Sequence, residues 1–253
     1  FVLCLRNQSH EPHLLRGEMC DSDALIEEMR SIGNAPTIFN IGYFQSQLSL
    51  LFGRYEAAIQ QVETAQEHLK SVISIPVYKH HALLSVLARY HVCIENKGLK
   101  NKHLGKIKED IADLKKYQKH CPDDFNGKVA LSEACLAVVL GEHDKALARY
   151  NEAVSYFSRE SNVYDQALGY LEFFRYARSR NFDDLATTYH RKAVSAFRRW
   201  GAEAVALHLE AMPGYAYKNE ASASIATVGA RREVDMFSII KGSQVISSEL
   251  DLQ

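Results

Sequence analysis

The residues with chemistry to offer are histidines, cysteines and lysines, and their spacing decides what they can do. His190-Arg-Lys-Ala-Val-Ser195 carries a histidine and a serine, both types that accept phosphoryl groups. No G-x-x-x-x-G-K followed by Ser or Thr occurs, and no H-R-D triplet, so no phosphate loop or kinase loop accompanies them. Function is argued from an assembled site, and none is assembled around His190. His80 and His81 are adjacent. Neighbouring residues do not share a helix face, so the two cannot easily chelate one ion. His10, His13 and Cys20 are close in sequence but meet no metal-ligand spacing. The five cysteines (Cys4, Cys20, Cys93, Cys121, Cys135) are odd in number and lack a C-x-x-C. They read as reduced thiols of a cytoplasmic protein. The residues thus predict no catalytic group, no metal and no cofactor.

Lysines form one cluster. Lys100, Lys102, Lys106, Lys108, Lys115 and Lys116, with Lys97 and Lys119, lie within a short span interrupted by Glu109, Asp110 and Asp113. Two readings stand side by side: a surface for an acidic partner, and a solvated face whose other side, Ile107, Ile111, Leu114 and Tyr117, covers the core. The whole chain of 253 residues has a net charge of −1, so no global field would hold a polyanion, and nucleic acid is not expected as the main partner. The opening apolar run, Phe1 to Leu5, is too short to span a membrane or serve as a signal core.

What would position these residues is a set of helices. With 13 glycines and 5 prolines, the chain is sparse in breakers, which favours helix. Gly53-Arg-Tyr-Glu-Ala-Ala58, Gly141-Glu-His-Asp-Lys-Ala146 and Asn181-Phe-Asp-Asp-Leu-Ala186 align. In each, a turn residue precedes an alanine by five positions, and a second alanine follows seven further on: Ala65, Ala153 and Ala193. Glycine or asparagine releases the first helix of a pair, and alanines permit close crossing of the second. Tyr150 falls on the same face as Ala146 and Ala153. Gly53 to Gly98, Gly98 to Gly141 and Gly141 to Asn181 are 45, 43 and 40 positions apart, against about 34 for a standard tetratricopeptide repeat. Longer helices or longer turns follow.

The spacing predicts a helix over 22–32 capped by Asp21 or Ser22, then pairs 37–52 with 55–69, 77–96 with 105–120, 125–140 with 143–159, and 164–180 with 182–200. The second pair lacks the alanine signature. A short helix over 203–211 closes the set, stopped by Met212-Pro213-Gly214. Trp200, the only tryptophan, reads as an anchor of the last pair beside Gly201, or as a partner hot spot. The expectation is an all-α chain without sheet, an α-solenoid of about four tetratricopeptide-like antiparallel helix pairs plus a C-terminal linker helix. Its divisions are a lead-in over 1–36, the repeat domain over 37–214, a small and polar linker over 215–233, and a last helix within 234–253. In that helix Met236, Ile239, Ser243, Ile246 and Leu250 recur at three, four, three and four, a short coiled-coil-like seam that would either pair with a second subunit or fold back onto the repeat domain.

Several stretches together resemble one family. Phe44-Gln-Ser-Gln-Leu48, Leu51-Phe-Gly-Arg-Tyr55-Glu-Ala-Ala-Ile59 and Leu140-Gly141-Glu142 through Ala153-Val154 resemble repeat units of the helical region in large hybrid sensor histidine kinases of bacteria and fungi. Arg199-Trp-Gly-Ala202, His208-Leu-Glu210 and Pro213 look like that region's closing signature, and Ile239 through Leu250 is similar to the first helix of the GAF domain that follows it. The resemblance covers most of the chain from Thr37 to Gln253. It implies an internal, non-catalytic piece between an AAA-type ATPase and a GAF domain. Its partners would be those domains of the same chain, in a parent that acts as an ATP-dependent histidine kinase in a phosphorelay. A free-standing peptide-binding adaptor and the effector-binding arm of an ATPase-type transcription regulator are the alternatives. The carboxylate grip of tetratricopeptide co-chaperones is not expected. The matching places hold Tyr43, Gln47, Leu168 and Glu172, none of them basic.

Overall fold

Six times among the described residues the chain leaves a helix by the same backbone manoeuvre. Asn7, Gly33, Gly53, Gly141, Asn181 and Gly201 stand in the left-handed region, with φ of 59°, 69°, 73°, 83°, 56° and 86°. At Gly141 the glycine N–H donates to the Val138 carbonyl (3.0 Å) and the Glu142 N–H to the Ala137 carbonyl (2.8 Å). The same two bonds recur around Asn7, Gly33, Gly53, Asn181 and Gly201. This Schellman closure satisfies carbonyls that a helix end leaves orphaned, and asparagine is the residue that best replaces glycine there.

A computed structural model describes residues 1–9, 11–17, 20–72, 78–159 and 162–215. In chain order its elements are α1 (Val2–Leu5), β1 (Arg16–Gly17), β2 (Cys20–Asp21), α2 (Ser22–Ser31), α3 (Ala35–Leu51), α4 (Tyr55–Glu67), α5 (Tyr78–Glu95), α6 (Lys100–Gln118), α7 (Pro122–Leu140), α8 (His143–Arg159), α9 (Val163–Ser179), α10 (Asp183–Trp200) and α11 (Glu203–Glu210). Two 3-10 turns, Leu69–Val72 and Lys97–Leu99, precede α5 and α6. Residues from Phe1 to Met212 form one compact unit. The second unit, Pro213–Gln253, is described only to residue 215. The linker, the seam residues Met236, Ile239, Ser243, Ile246 and Leu250, and the GAF-like stretch therefore lie outside the described residues, as do His10, Pro76 and Val77.

The fold is all-helical, with α3 packed on α4, α5 on α6, α7 on α8 and α9 on α10, and each pair against the next. The expectation of no sheet is corrected in one place. Arg16 pairs with Asp21 and Gly17 with Cys20 in an antiparallel ladder of two residues a side. No strand is described between Thr37 and Trp200. The wide repeat spacing comes from helix length, since α5 to α10 each run 17–19 residues.

Two boundaries differ from expectation. Helix α6 starts at Lys100, so Gly105 is interior to it rather than its opening. Gly98 is not a left-handed turn residue. The Asn96 side chain accepts its N–H (3.0 Å) and starts a 3-10 turn that joins α5 to α6. Helix α7 begins at Pro122, which stands at the first helical position where a missing N–H costs nothing.

The first and second members of the pairs are built differently. Of 17 residues in α3, 12 are buried, and α9 buries 11 of 17; α8 buries only 5 of 17. A helix buried on all sides must be covered from both faces, and α3 and α9 are. The alanines of α4, α8 and α10 are buried: Ala58, Ala65, Ala146, Ala153, Ala186 and Ala193 are at most 1% exposed, and Ala65 lies where α4 crosses α3. A methyl added at Gly42 would stand 2.9 Å from the Gln61 carbonyl oxygen and 3.1 Å from the Ala65 nitrogen. Lengthening such an alanine should be costly. Ala146→Leu is expected to lose about 1–3 kcal/mol through overpacking, measured as the shift of a denaturant midpoint at constant slope. An unshifted midpoint would show that the crossing has room.

Candidate functional site

The most elaborate constellation is polar and interior, built where α9 meets α3, α4 and α5. Glu172 is wholly buried in α9. One carboxylate oxygen is 2.7 Å from His91 Nε2 of α5, and the other accepts from the Arg175 guanidinium at 2.7 Å. The far edge of that guanidinium donates to the Leu50 and Leu51 carbonyls (3.2 and 3.1 Å), the last turn of α3. A cation at a helix C-terminus is favoured by the aligned peptide dipoles. Tyr55 of α4 stacks on the His91 ring at 4.1 Å, and Arg175 lies over the Tyr55 ring. Burial alone would raise the Glu172 carboxyl, but His91 and Arg175 outweigh it and hold it below the ordinary carboxylate value. Burial pushes the His91 ring down. The Glu172 carboxylate thus bonds both the imidazole of α5 and the guanidinium of α9.

A second buried pair joins α7 to α9. Lys128 Nζ is 2.6 Å from Asp165 Oδ2 and also donates to the Asp124 carbonyl. Asp165 Oδ1 has no hydrogen-bond partner among the described residues and stands 3.7 Å from His80 Nδ1. A third joins α5 to α6: Asp110 accepts from Ser85 and pairs with Lys106 (3.0 Å), while Arg89 bridges Ser85 and Glu63. Burial raises the Asp110 carboxyl.

Ring contacts tie the chain's start to its last pair. Trp200 lies 4.6 Å from Tyr164 and 6.4 Å from Phe1, and Phe1 lies 4.7 Å from Phe44. Phe52, at the end of α3, meets His208 of α11 at 5.3 Å. Tyr43, Gln47, Leu168 and Glu172, the places where a peptide carboxylate would be gripped, are all buried. Gln47 donates to the Tyr43 hydroxyl instead.

The other singled-out residues fall as follows. Tyr150 is fully buried between Phe173 and Tyr176, its hydroxyl 3.4 Å from that of Tyr90. The His190 ring is buried with Nε2 2.9 Å from the Leu209 carbonyl. His81 bonds the Val62 carbonyl while His80 faces Asp165, so the two rings diverge. Among the lysines, Lys106 pairs with Glu109 and Asp110, Lys115 with Glu133, and Lys116 with Asp113. Lys102 and Lys108 are exposed and Lys100 half-buried; these three make no ion pair among the described residues. Among those residues, no group of three or more His, Cys, Asp or Glu is placed to hold a metal ion. No described helix is long and apolar enough to cross a membrane.

Sequence reasoning missed His91, Arg175, Lys128 and Asp165. One signal was available. Glu172 and Arg175 stand three apart inside Leu168-Gly-Tyr-Leu-Glu-Phe-Phe-Arg-Tyr-Ala177, where charges on an otherwise apolar helix have to be paired internally.

Buried histidines give the fold a pH dependence. Burial lowers His81, His91 and His190 relative to the unfolded chain. Their stabilising contribution is whole above the unfolded histidine value and is lost as pH falls through the lower folded values. Each can remove up to about 1.4 kcal/mol per pH unit in that window. Raised Asp110 acts with the opposite sign. The denaturant midpoint is therefore expected to fall between pH 7.5 and 5.5; a flat profile would contradict the burial of these rings.

Compared with protein-family models, curated proteins and solved structures, the chain finds no significant match in any of the three.

Proposed function

We propose that the chain is a non-catalytic helical-repeat scaffold, an α-solenoid of four tetratricopeptide-like helix pairs. It serves as the regulatory segment of a cytoplasmic, multidomain hybrid histidine kinase, between an ATPase and a GAF domain. It relays signals by protein–protein contact, without a cofactor of its own. The observation that carries this reading is the use to which buried charge is put. Glu172, Asp165 and Asp110 each join one helix to another through His91, Arg175, Lys128, Ser85 and Lys106. Two surface clefts of about 390 Å³ each lie elsewhere, one lined by Phe52, Arg54, Leu207 and His208, the other by Leu147, Phe182 and Leu185. Neither includes these charged groups. A scaffold that couples domains needs an interior stiff enough to pass on a change of contact.

The adaptor reading is the weaker one, because the residues that would line its peptide groove are covered by the chain itself. Calorimetric titration of the chain with separately produced ATPase and GAF regions of such a kinase tests the proposal. Binding to at least one is expected. Binding to neither, or ATP hydrolysis by the purified chain, would overturn it.

A further inference from the structure

Between Lys97 and Lys119 there are eight lysines against three carboxylates, in a chain whose net charge is −1. The structure sorts them. One face of α6 is spent on the core: His103, Ile107, Asp110, Ile111 and Leu114 are buried. On the opposite side Asn101, Gly105, Lys108, Ala112, Lys115 and Lys119 follow one another at spacings of three and four, and all are exposed. These residues form one ridge along a helix about 28 Å long. Lys108 and Lys119 make no ion pair among the described residues, and Lys115 reaches sideways to Glu133.

Gly105 is the unexplained residue on that ridge. It sits inside a helix, where glycine costs about 0.5–1 kcal/mol relative to alanine. Its φ is not positive, so no turn demands it. A methyl there would meet nothing within 4 Å, so no internal neighbour demands it either. Together with Ala112 it leaves a flat strip flanked by long cationic side chains. Two helices approach to about 8 Å only over such small residues.

We propose that this ridge of α6 docks an acidic helix of a protein partner. That helix would run along the Gly105–Ala112 strip with its carboxylates set against Lys108 and Lys119. The proposal names the partner chemistry of the scaffold reading and rests on it. The ridge carries no large exposed apolar side chain to enter a bilayer, only the methyl of Ala112. Glu109 and Asp113 stand beside the lysines, which suits a discrete set of carboxylates better than a continuous polyphosphate. Charge complementarity of this kind sets orientation and encounter rate.

The test uses the full chain and a synthetic helical peptide with glutamates along one stripe and alanines between them. Fluorescence anisotropy at low salt should show binding that weakens with added salt. K108E/K119E should weaken it about tenfold. G105Q should weaken it as well while raising the thermal midpoint, since glutamine is the better helix former and meets open space. Binding unchanged in both variants, or no binding by the wild type, overturns the proposal. So does tighter binding to phosphatidylserine vesicles or single-stranded RNA than to the peptide. If K108E/K119E still binds the ATPase or GAF region, the ridge is wrong and the scaffold stands. If the wild type binds the peptide but neither region, the ridge stands and the scaffold falls.

Discussion

Glu172→Ala is expected to destabilise the protein by about 3–5 kcal/mol, the usual consequence of leaving one member of a buried ion pair without the other. Domains of this kind are stable by about 5–15 kcal/mol in all, so the variant should sit near the edge of folding. The reason lies in what Arg175 would then face. Its guanidinium is in the interior, its two remaining bonds go to the Leu50 and Leu51 carbonyls, and no water replaces the lost carboxylate cheaply. His91 would lose its acceptor at the same time. Arg175→Met is expected to be comparably costly, because it strands Glu172 and two carbonyls of the α3 end. The double variant Glu172→Ala/Arg175→Met should cost less than the sum of the two, since neither charge is then left alone. Urea unfolding of the four proteins gives the cycle. Additive losses, or a single-variant loss below about 1 kcal/mol, the range of exposed pairs, would mean that the pair is solvated.

That network marks where sequence reading stops. The turns at Gly53, Gly141 and Asn181 and the alanines after them are local signals. A left-handed residue and a small residue each meet their physical need within a few positions, so the pattern is visible in the chain. Contacts made across more than a hundred residues leave no such pattern. Nothing in Phe1 announces Trp200, and nothing in Leu50 announces Arg175. The start of α6 was missed for a related reason. Gly98 and Gly105 both resemble breakers, yet an Asn96 cap nucleates the turn and the buried stripe from His103 to Leu114 carries the helix through Gly105. Tertiary burial outweighs a propensity cost of about 1 kcal/mol. The ladder of β1 with β2 is too short to have any alternation to read.

The second large effect concerns Phe157. Its ring is 1% exposed and lies between α7, the other helix of its own pair, and α9 of the next pair, at positions where both carry glycine. A methyl placed on Gly127 would stand 2.5 Å from one ring carbon, and a methyl on Gly169 would stand 2.5 Å from another. Neither glycine has a positive φ, so the backbone does not require them; the ring does. Phe157→Ala should cost about 3–5 kcal/mol as a truncated core aromatic. The sharper result is a change of sign. In the wild type, Gly169→Ala should destabilise despite alanine's better helix propensity, because the aromatic ring is rigid and cannot step aside in a packed interior. In the Phe157→Ala background the obstacle is gone, and the same substitution should stabilise by up to about 1 kcal/mol. Gly127→Ala should behave alike. Thermal unfolding of wild type, both single variants and the double variant measures the sign directly. If Gly169→Ala raises the midpoint in the wild-type background, the ring does not fill that space and the packing described for α7, α8 and α9 is wrong.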